Sequence, residues 1–263
     1  MSKVRLDVLM MQLKLVESRS KAQRLIMAGE VAVNGQMVLK ASDMVAVDAG
    51  ITIQHAPPFV SRGGEKLEAA LTAFNLTDLI GRICVDVGSS TGGFTDCLLQ
   101  HGAEKVFAVD VGYGVLHWKL RNHPRVIVME RTNARFVDAF PEKIELVTID
   151  ASFISLNILM PVCSGWFQPE GGQVVALIKP QFEAGVKDAA RGKGVIRSAE
   201  IHRKVLQKVL SFAERSNYQC RGLIRSPIVG HKGNIEFLAH FEYPLVNPPP
   251  FLPMIDAVIG EQG

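Results

Sequence analysis

The chain is predicted to be α/β, a small α+β module at the N-terminus followed by a doubly wound, mostly parallel sheet. Three observations carry this. From Arg82 onward, short apolar strand runs alternate with helical patterns. Within that alternation, Asp86-Val87-Gly88-Ser89-Ser90-Thr91-Gly92-Gly93-Phe94-Thr95 follows the apolar run 82–85 and leads into Asp96-Cys97-Leu98-Leu99. That order is strand, glycine turn, helix. Residues 1–58 differ in texture, with two short helical stretches ahead of a hairpin signal.

The elements follow in order. Leu6, Leu9, Met10, Leu13 and Leu15 form a helical stripe, and Ser20 is placed to cap a second helix over 21–27 that Gly29 closes. Residues 31–38 read strand-turn-strand, with Asn34-Gly35 favouring a type I′ turn. Val45 and Val47 supply a further short strand. Ala56-Pro57-Pro58-Phe59 is a stiff break, and 59–64 is read as the linker. Lys66, Leu67, Ala70, Leu71 and Phe74 mark an amphipathic helix that opens the second domain, 65–243. After the first strand, further strands are predicted over 105–110, 126–129, 146–150 and 173–179. A long helix carries Ile201, Val205, Leu206, Val209 and Phe212, with Ser198 as its cap. Strands over 222–224 and 235–241 have no helix between them, so an antiparallel pair is expected at the sheet edge. The stretch 244–263, with Pro248-Pro249-Pro250 and Pro253, reads as an extended tail.

Composition narrows the function classes. At 48% hydrophobic residues the chain can build a sizeable core, which excludes global disorder. A net charge of +3 is too small for bulk attraction to nucleic acid, so such a site must come from local clustering. Lys14, Arg19, Lys21 and Arg24 are such a cluster, opposed only by Glu17; a solvated basic face and a phosphate-binding face both fit it. Cys84, Cys97, Cys163 and Cys220 are scattered without C-x-x-C spacing, which fits a reduced cytoplasmic protein and suggests no zinc site. The start lacks an apolar signal core. The uncharged run 151–169 approaches membrane-helix length, but its serines, Asn157, Pro161 and Gln168 fit a covered helix beside a sheet better, so no membrane partner is expected.

Three ligand classes use a glycine turn like that after Asp86. A nucleotide-triphosphate loop needs a lysine after its last glycine, and none follows Gly92 or Gly93. A dinucleotide fingerprint needs a glycine where Ser90 stands. What remains is D-x-G-x-x-x-G-G, with an acid that can face an ammonium group, which suits S-adenosylmethionine. Asp110 ends the next strand at the spacing where a carboxylate takes ribose hydroxyls. The second domain is thereby expected to be a Rossmann-like sheet that binds S-adenosylmethionine. Its cofactor residues are expected to be Asp86, Gly88, Ser89, Ser90, Thr91, Gly92, Gly93, Asp110, Val111, Asn133 and Asp150. Asn133 is placed to bond an adenine edge or simply to cap a helix. At the strand ends, Asp150, Lys179 and Glu236 are ionisable groups on apolar strands, costly to bury unless paired. A structural salt bridge is the plainer explanation for them. Lys66 stands at a helix start, where a cation is poorly placed against the dipole.

Two resemblances sharpen this picture. Arg5-Leu6-Asp7, Ser18-Arg19-Ser20-Lys21-Ala22, Gly29-Glu30-Val31 and Val33-Asn34-Gly35 together resemble the S4 RNA-binding module. That resemblance implies that Arg5, Arg19, Lys21 and Arg24 touch RNA backbone, with Arg62 adding a further contact. The glycine loop, Ile149-Asp150-Ala-Ser-Phe-Ile-Ser, Leu177-Ile178-Lys179-Pro-Gln-Phe-Glu and Gly233-Asn-Ile-Glu236 are similar to the haemolysin A (TlyA) family. Its members join an S4 module to an FtsJ-type methyltransferase domain and act on ribose 2′-hydroxyls of ribosomal RNA. The resemblance implies that Lys66, Asp150, Lys179 and Glu236 are the catalytic set, that ribosomal subunits are the partners and that no metal is needed. Lys179 is then base or alkoxide stabiliser, with the two carboxylates orienting the lysines. The alternatives are a membrane-lytic protein, which the family name raises, and a catalytically silent RNA-binding assembly factor.

Overall fold

The computed structural model describes residues 3–27, 29–53, 57–185 and 194–260, in two units, Met1–Pro58 and Phe59–Gly263. Ala56 of the expected break and 261–263 of the expected tail lie outside the described residues.

In the first unit β1 (Lys3–Arg5) enters α1 (Leu6–Gln12), followed by α2 (Arg19–Met27), β2 (Val31–Val33), β3 (Gln36–Met37), β4 (Met44–Ala46) and β5 (Ile51–Ile53). β1 pairs with β4, and β2 lies between β3 and β5, all antiparallel. Leu6, Met10, Ala22, Ile26 and Val31 form the core. Asn34 and Gly35 both have positive φ, 51° and 81°, as a type I′ turn requires. The helix cap differs from expectation: Ser18 Oγ, not Ser20, accepts the Lys21 N–H at 3.2 Å, so α2 begins at Arg19. Gly29 and Glu30 close the helix by donating to the Ile26 and Leu25 carbonyls.

The second unit runs α3 (Gly63–Ala73), β6 (Ile83–Val87), α4 (Gly93–Gln100), β7 (Lys105–Val109), α5 (Trp118–Arg121), β8 (Val126–Met129), β9 (Leu146–Ile149), α6 (Leu156–Ser164), β10 (Gly172–Ile178), α7 (Pro180–Glu183), α8 (Ala199–Arg215), β11 (Gln219–Arg225), β12 (Phe237–Tyr243) and α9 (Leu252–Gly260). Its sheet has the order β11-β12-β10-β9-β6-β7-β8. β10, β9, β6, β7 and β8 are mutually parallel, whereas β12 is antiparallel to both neighbours, the edge arrangement that the missing crossover helix foretold.

Strand parity divides the core in two. Val85, Phe107, Val147, Val174 and Ala176 point to one face, where α6, α8 and α9 pack. Cys84, Val106, Ala108, Leu146, Val175 and Leu177 point to the other, under α3, α4 and α5. Both faces are covered, so the strands read as near-continuous apolar runs. The uncharged stretch 151–169 contains α6, whose Leu156, Leu159, Met160 and Cys163 are buried against the sheet. Among the described residues no helix is long and apolar enough to cross a membrane.

Two stretches depart from expectation. Residues 59–64 are not a free connector: α3 already starts at Gly63, and Phe59 is buried in the second unit, where a Cβ on Gly64 would overlap its ring. The stretch 244–263 is not simply extended, because α9 buries Ile255, Val258 and Ile259. Proline-rich composition hid that short i, i+3, i+4 stripe. Ile255→Ala is therefore expected to cost about 2–5 kcal/mol. Leu252→Ala, on the exposed side of α9, should stay within about 0.5 kcal/mol. Urea unfolding distinguishes them, and equal small effects would mean the terminal helix is not packed.

Candidate active site

From β6 the chain winds through β7 to β8 on one side, while β9 and β10 lie on the other. The strand order reverses between β6 and β9, and a crevice opens beyond their carboxyl ends. The loops that leave these strands nearly touch. A Cβ on Gly88, at φ +82°, would lie 2.7 Å from the Asp150 carbonyl oxygen, so only glycine fits.

A cavity of ≈ 580 Å³ occupies the crevice, lined by Gly88, Ser90, Asp110, Val111, Asn133, Ala134, Asp150, Ser152 and Phe153 among others. Asp110 accepts backbone N–H groups from Ser90 (2.8 Å) and Gly112 (2.7 Å), which fixes the loop after β6 to the end of β7. Asn133 lines the cavity while its Oδ1 accepts the Arg135 N–H at 3.1 Å, so it is a helix cap and a cavity residue at once. A second cavity of ≈ 270 Å³ is lined by Arg62, Lys66, Ser89, Thr91, Gly93 and the loop 228–231. Gly88, Ser90 and Asp150 line both.

Asp86 lines neither cavity, which corrects the expectation that its carboxylate faces a ligand ammonium group. Parity is the reason. Asp86 points with Cys84 toward the α4 face, opposite Thr148 in the β6–β9 register. There it is fully buried, accepting hydrogen bonds from Thr95 Oγ1 (2.6 Å) and Thr148 Oγ1 (3.2 Å). Burial, aided by repulsion from Asp150, pushes its carboxyl up to about 7 against the pull of the two hydroxyls. Gly92 also lines neither cavity; at φ +97° it starts α4, and a Cβ there would overlap Leu120.

A carboxyl raised on folding contributes stability that is complete below its unfolded pKa, near ~4, and is lost as pH rises through its folded value. Wild type should thus lose stability relative to Asp86→Asn as pH climbs from about 4 past 7. Urea titrations across that range check it; parallel pH profiles would mean that Asp86 does not titrate there.

The four charged residues come together as two ion pairs. Lys179 Nζ lies 2.6 Å from Asp150 Oδ1 and donates to Ser152 Oγ at 3.1 Å. Lys66 Nζ donates to Glu236 Oε2 at 2.6 Å, and Gln181 Nε2 donates to Glu236 Oε1 at 3.2 Å. The register Ile178↔Phe237 between β10 and β12 brings Lys179 and Glu236 to the same end of neighbouring strands. Lys179 and Glu236 are buried, and Lys66 is close to it. Pairing spares each the penalty of an isolated buried charge.

Several supporting residues had no signal of their own in the sequence. Ser152 and Gln181 sit inside the quoted stretches, yet no spacing rule marks them as partners of the charges. Gly230 leaves room for Glu236, since a Cβ there would overlap the carboxylate. Asn234 clamps the same loop, accepting from Ile196 N–H and donating to the Gly194 and His231 carbonyls. Glu183 is buried and accepts from Ser155 Oγ and Leu156 N–H, both at 2.7 Å, which pins the start of α6 beside Ser152. Phe153, at φ +64°, is exposed on the cavity wall with its ring 4.9 Å from that of Phe182.

In the first unit the basic residues divide into two kinds. Asp7 is fully buried and accepts from Arg5 Nε and Nη2 (both 3.0 Å), Arg19 Nε (2.8 Å) and Gln23 Nε2 (2.9 Å). These partners, Arg5 foremost, hold its carboxyl well below the usual range against the cost of burial. Arg5 and Arg19 are therefore tied to the core, while Lys21 and Arg24 are exposed on α2.

The FtsJ-like methyltransferase family model matches residues 59–243, and the S4 domain model matches residues 4–51. A Bacillus subtilis protein provisionally named an rRNA methyltransferase, YqxC, is 47% identical over 246 residues, covering 92% of this chain and 86% of that protein. The 16S/23S rRNA (cytidine-2′-O)-methyltransferase TlyA of Mycobacterium tuberculosis is 39% identical over 239 residues, 89% of this chain and 88% of that one. A solved structure from Streptococcus thermophilus, provisionally named a hemolysin, is 44% identical with a TM-score of 0.74, covering 99% of this chain and 96% of that one. An S4 domain followed by an FtsJ-like methyltransferase domain, with these relatives along nearly the whole length, makes the chain a member of the TlyA (haemolysin A) family.

Proposed function

We propose that this chain transfers the methyl group of S-adenosylmethionine to ribose 2′-hydroxyls of ribosomal RNA. The observation that carries the reading is the junction at Asp150, where the larger cavity meets a second one walled by Lys66 and Arg62. Two substrates can thus meet beside the paired charges. The larger cavity falls in the size range of small-molecule sites, and its donor set fits the cofactor. Asp110 suits ribose hydroxyls, Val111 and Ala134 offer apolar contact to a base, and Asn133 keeps its amide NH₂ for a base edge. Gly88 and Ser90 bring backbone to this cavity, whereas Ser89, Thr91 and Gly93 line the smaller one. Asp86 and Gly92 act beneath that loop, as supports rather than contacts.

When bound, S-adenosylmethionine supplies an electrophilic methyl group on a sulfonium. The protein's part is positioning and proton handling. A ribose hydroxyl must shed its proton as it attacks, and Lys179, oriented by Asp150 and Ser152, takes that proton or stabilises the developing alkoxide. Glu236 and Gln181 hold Lys66 as the second cation at the same end of the sheet. In the S4 domain Lys21 and Arg24 serve RNA phosphates, with Arg5 and Arg19 sharing that task while anchored on Asp7; Arg62 stands at the acceptor cavity. A ribosomal substrate makes the cytoplasm the place of action.

The test is incubation of the full chain with purified ribosomal subunits, free rRNA and isotopically labelled S-adenosylmethionine, followed by mapping of the label. Label on a ribose 2′-oxygen is expected, and its absence from every RNA would overturn the reading. Lys179→Ala should lower the transfer rate by about 10²–10⁴-fold while cofactor affinity, read by calorimetry, changes little. Near-normal turnover would remove Lys179 from the chemistry. Lys21→Ala and Arg24→Ala should each weaken RNA binding and flatten its salt dependence by about one unit of slope, without loss of stability. An unchanged slope in both would take α2 out of the RNA interface.

A further inference from the structure

Away from both cavities, α3 and α4 bring three metal-ligating side chains together. Cys97 and His101 are one helical turn apart, and the His101 N–H donates to the Cys97 carbonyl at 3.0 Å, so the two share a face of α4. Glu68 reaches across from α3. Its Oε2 lies 2.6 Å from His101 Nε2 and 3.7 Å from Cys97 Sγ, and all three ligand atoms fall within 4.8 Å of one another.

The hydrogen bonds of His101 sharpen the point. Nδ1 lies 2.8 Å from the Thr77 carbonyl oxygen, which can only accept, so Nδ1 carries its proton. In the neutral ring Nε2 is then a bare lone pair, aimed at a carboxylate oxygen. Two acceptors at that distance require a cation between them, either a proton or a metal. A histidine fixed through one nitrogen on a backbone carbonyl, with the other presented to a carboxylate and a thiol, is how metal-ligating imidazoles are held.

We propose that Glu68, Cys97 and His101 bind a divalent cation of the zinc class, with water as the fourth ligand. Bonds of about 2.1 Å to nitrogen and oxygen and about 2.3 Å to sulfur place tetrahedral ligands roughly 3.3–3.6 Å apart. The sulfur–oxygen separation already matches, and the nitrogen–oxygen one must open by about 0.7 Å. Glu68 is partly exposed and can make that adjustment, and its open side admits the water. On binding, the Cys97 thiol proton and the proton shared by His101 and Glu68 leave to solvent, so thiolate and carboxylate neutralise the cation. None of the three residues lines either cavity. The ion is therefore a clamp between α3, which carries Lys66, and α4, which starts at the glycine loop.

The experiment uses the full chain after chelator treatment, titrated with Co²⁺ alone and then with Zn²⁺. One equivalent of cobalt is expected, with a thiolate charge-transfer absorption that zinc abolishes and Cys97→Ser lacks. That control matters because Cys84, Cys163 and Cys220 are also free thiols. Zinc should raise the melting temperature of wild type and not of Glu68→Gln. Absence of the charge-transfer band, or its persistence in Cys97→Ser, would overturn the site. If Cys97→Ser does not fold, His101→Gln decides: its cobalt affinity should fall at least about tenfold, and an unchanged affinity rejects the proposal.

Discussion

Four charges paired at the end of one sheet, with Lys179 and Glu236 buried, set the terms for the rest of the second domain. A buried ammonium or carboxylate without a partner costs several kcal/mol, so Lys179 and Glu236 are held there by pairing, with the less buried Asp150 and Lys66 as their partners. Each pair constrains its surroundings. The antiparallel placement of β12 against β10 delivers Glu236 next to Lys179, Gly230 leaves the volume that its carboxylate fills, and Gln181 satisfies the oxygen that Lys66 does not. On the opposite pair, Ser152 shares Lys179 with Asp150, and the Glu183 cap keeps the Ser152 loop beside the start of α6.

The S4 domain repeats the same physics on a smaller scale. One buried carboxylate, Asp7, gathers two guanidinium groups and an amide from β1 and α2. Arg5 and Arg19 thus tie β1 and α2 to a buried carboxylate, so their electrostatic and structural contributions cannot be separated by simple truncation. Lys21 and Arg24 carry charge without that second duty.

Much of this was legible in the chain. The alternation after Arg82 foretold the parallel sheet because strands covered on both faces read as apolar runs, and Asn34-Gly35 foretold its hairpin through the positive φ that both positions adopt. That a cavity opens at the loops where the strand order reverses was legible too, since Gly88 and Asp110 stand at strand ends and line it. The partnership of the four charges was not, because its members are distant in sequence; the resemblance to a family, not any spacing, brought them together. Asp86 was misread because the loop motif says nothing about parity, which turns its carboxylate under α4 toward Thr95. β5 escaped notice because three residues carry too little alternation to register, and α9 because prolines surround it.

The ion pair between Lys66 and Glu236 joins residues 170 positions apart. Closing so long a loop is slow relative to local structure, and during synthesis it must wait until Glu236 has left the exit tunnel. The S4 domain, complete by Pro58, can fold while most of the methyltransferase domain is still being made. A nascent chain therefore completes its S4 domain well before the two ends of the methyltransferase domain can be locked together by that pair.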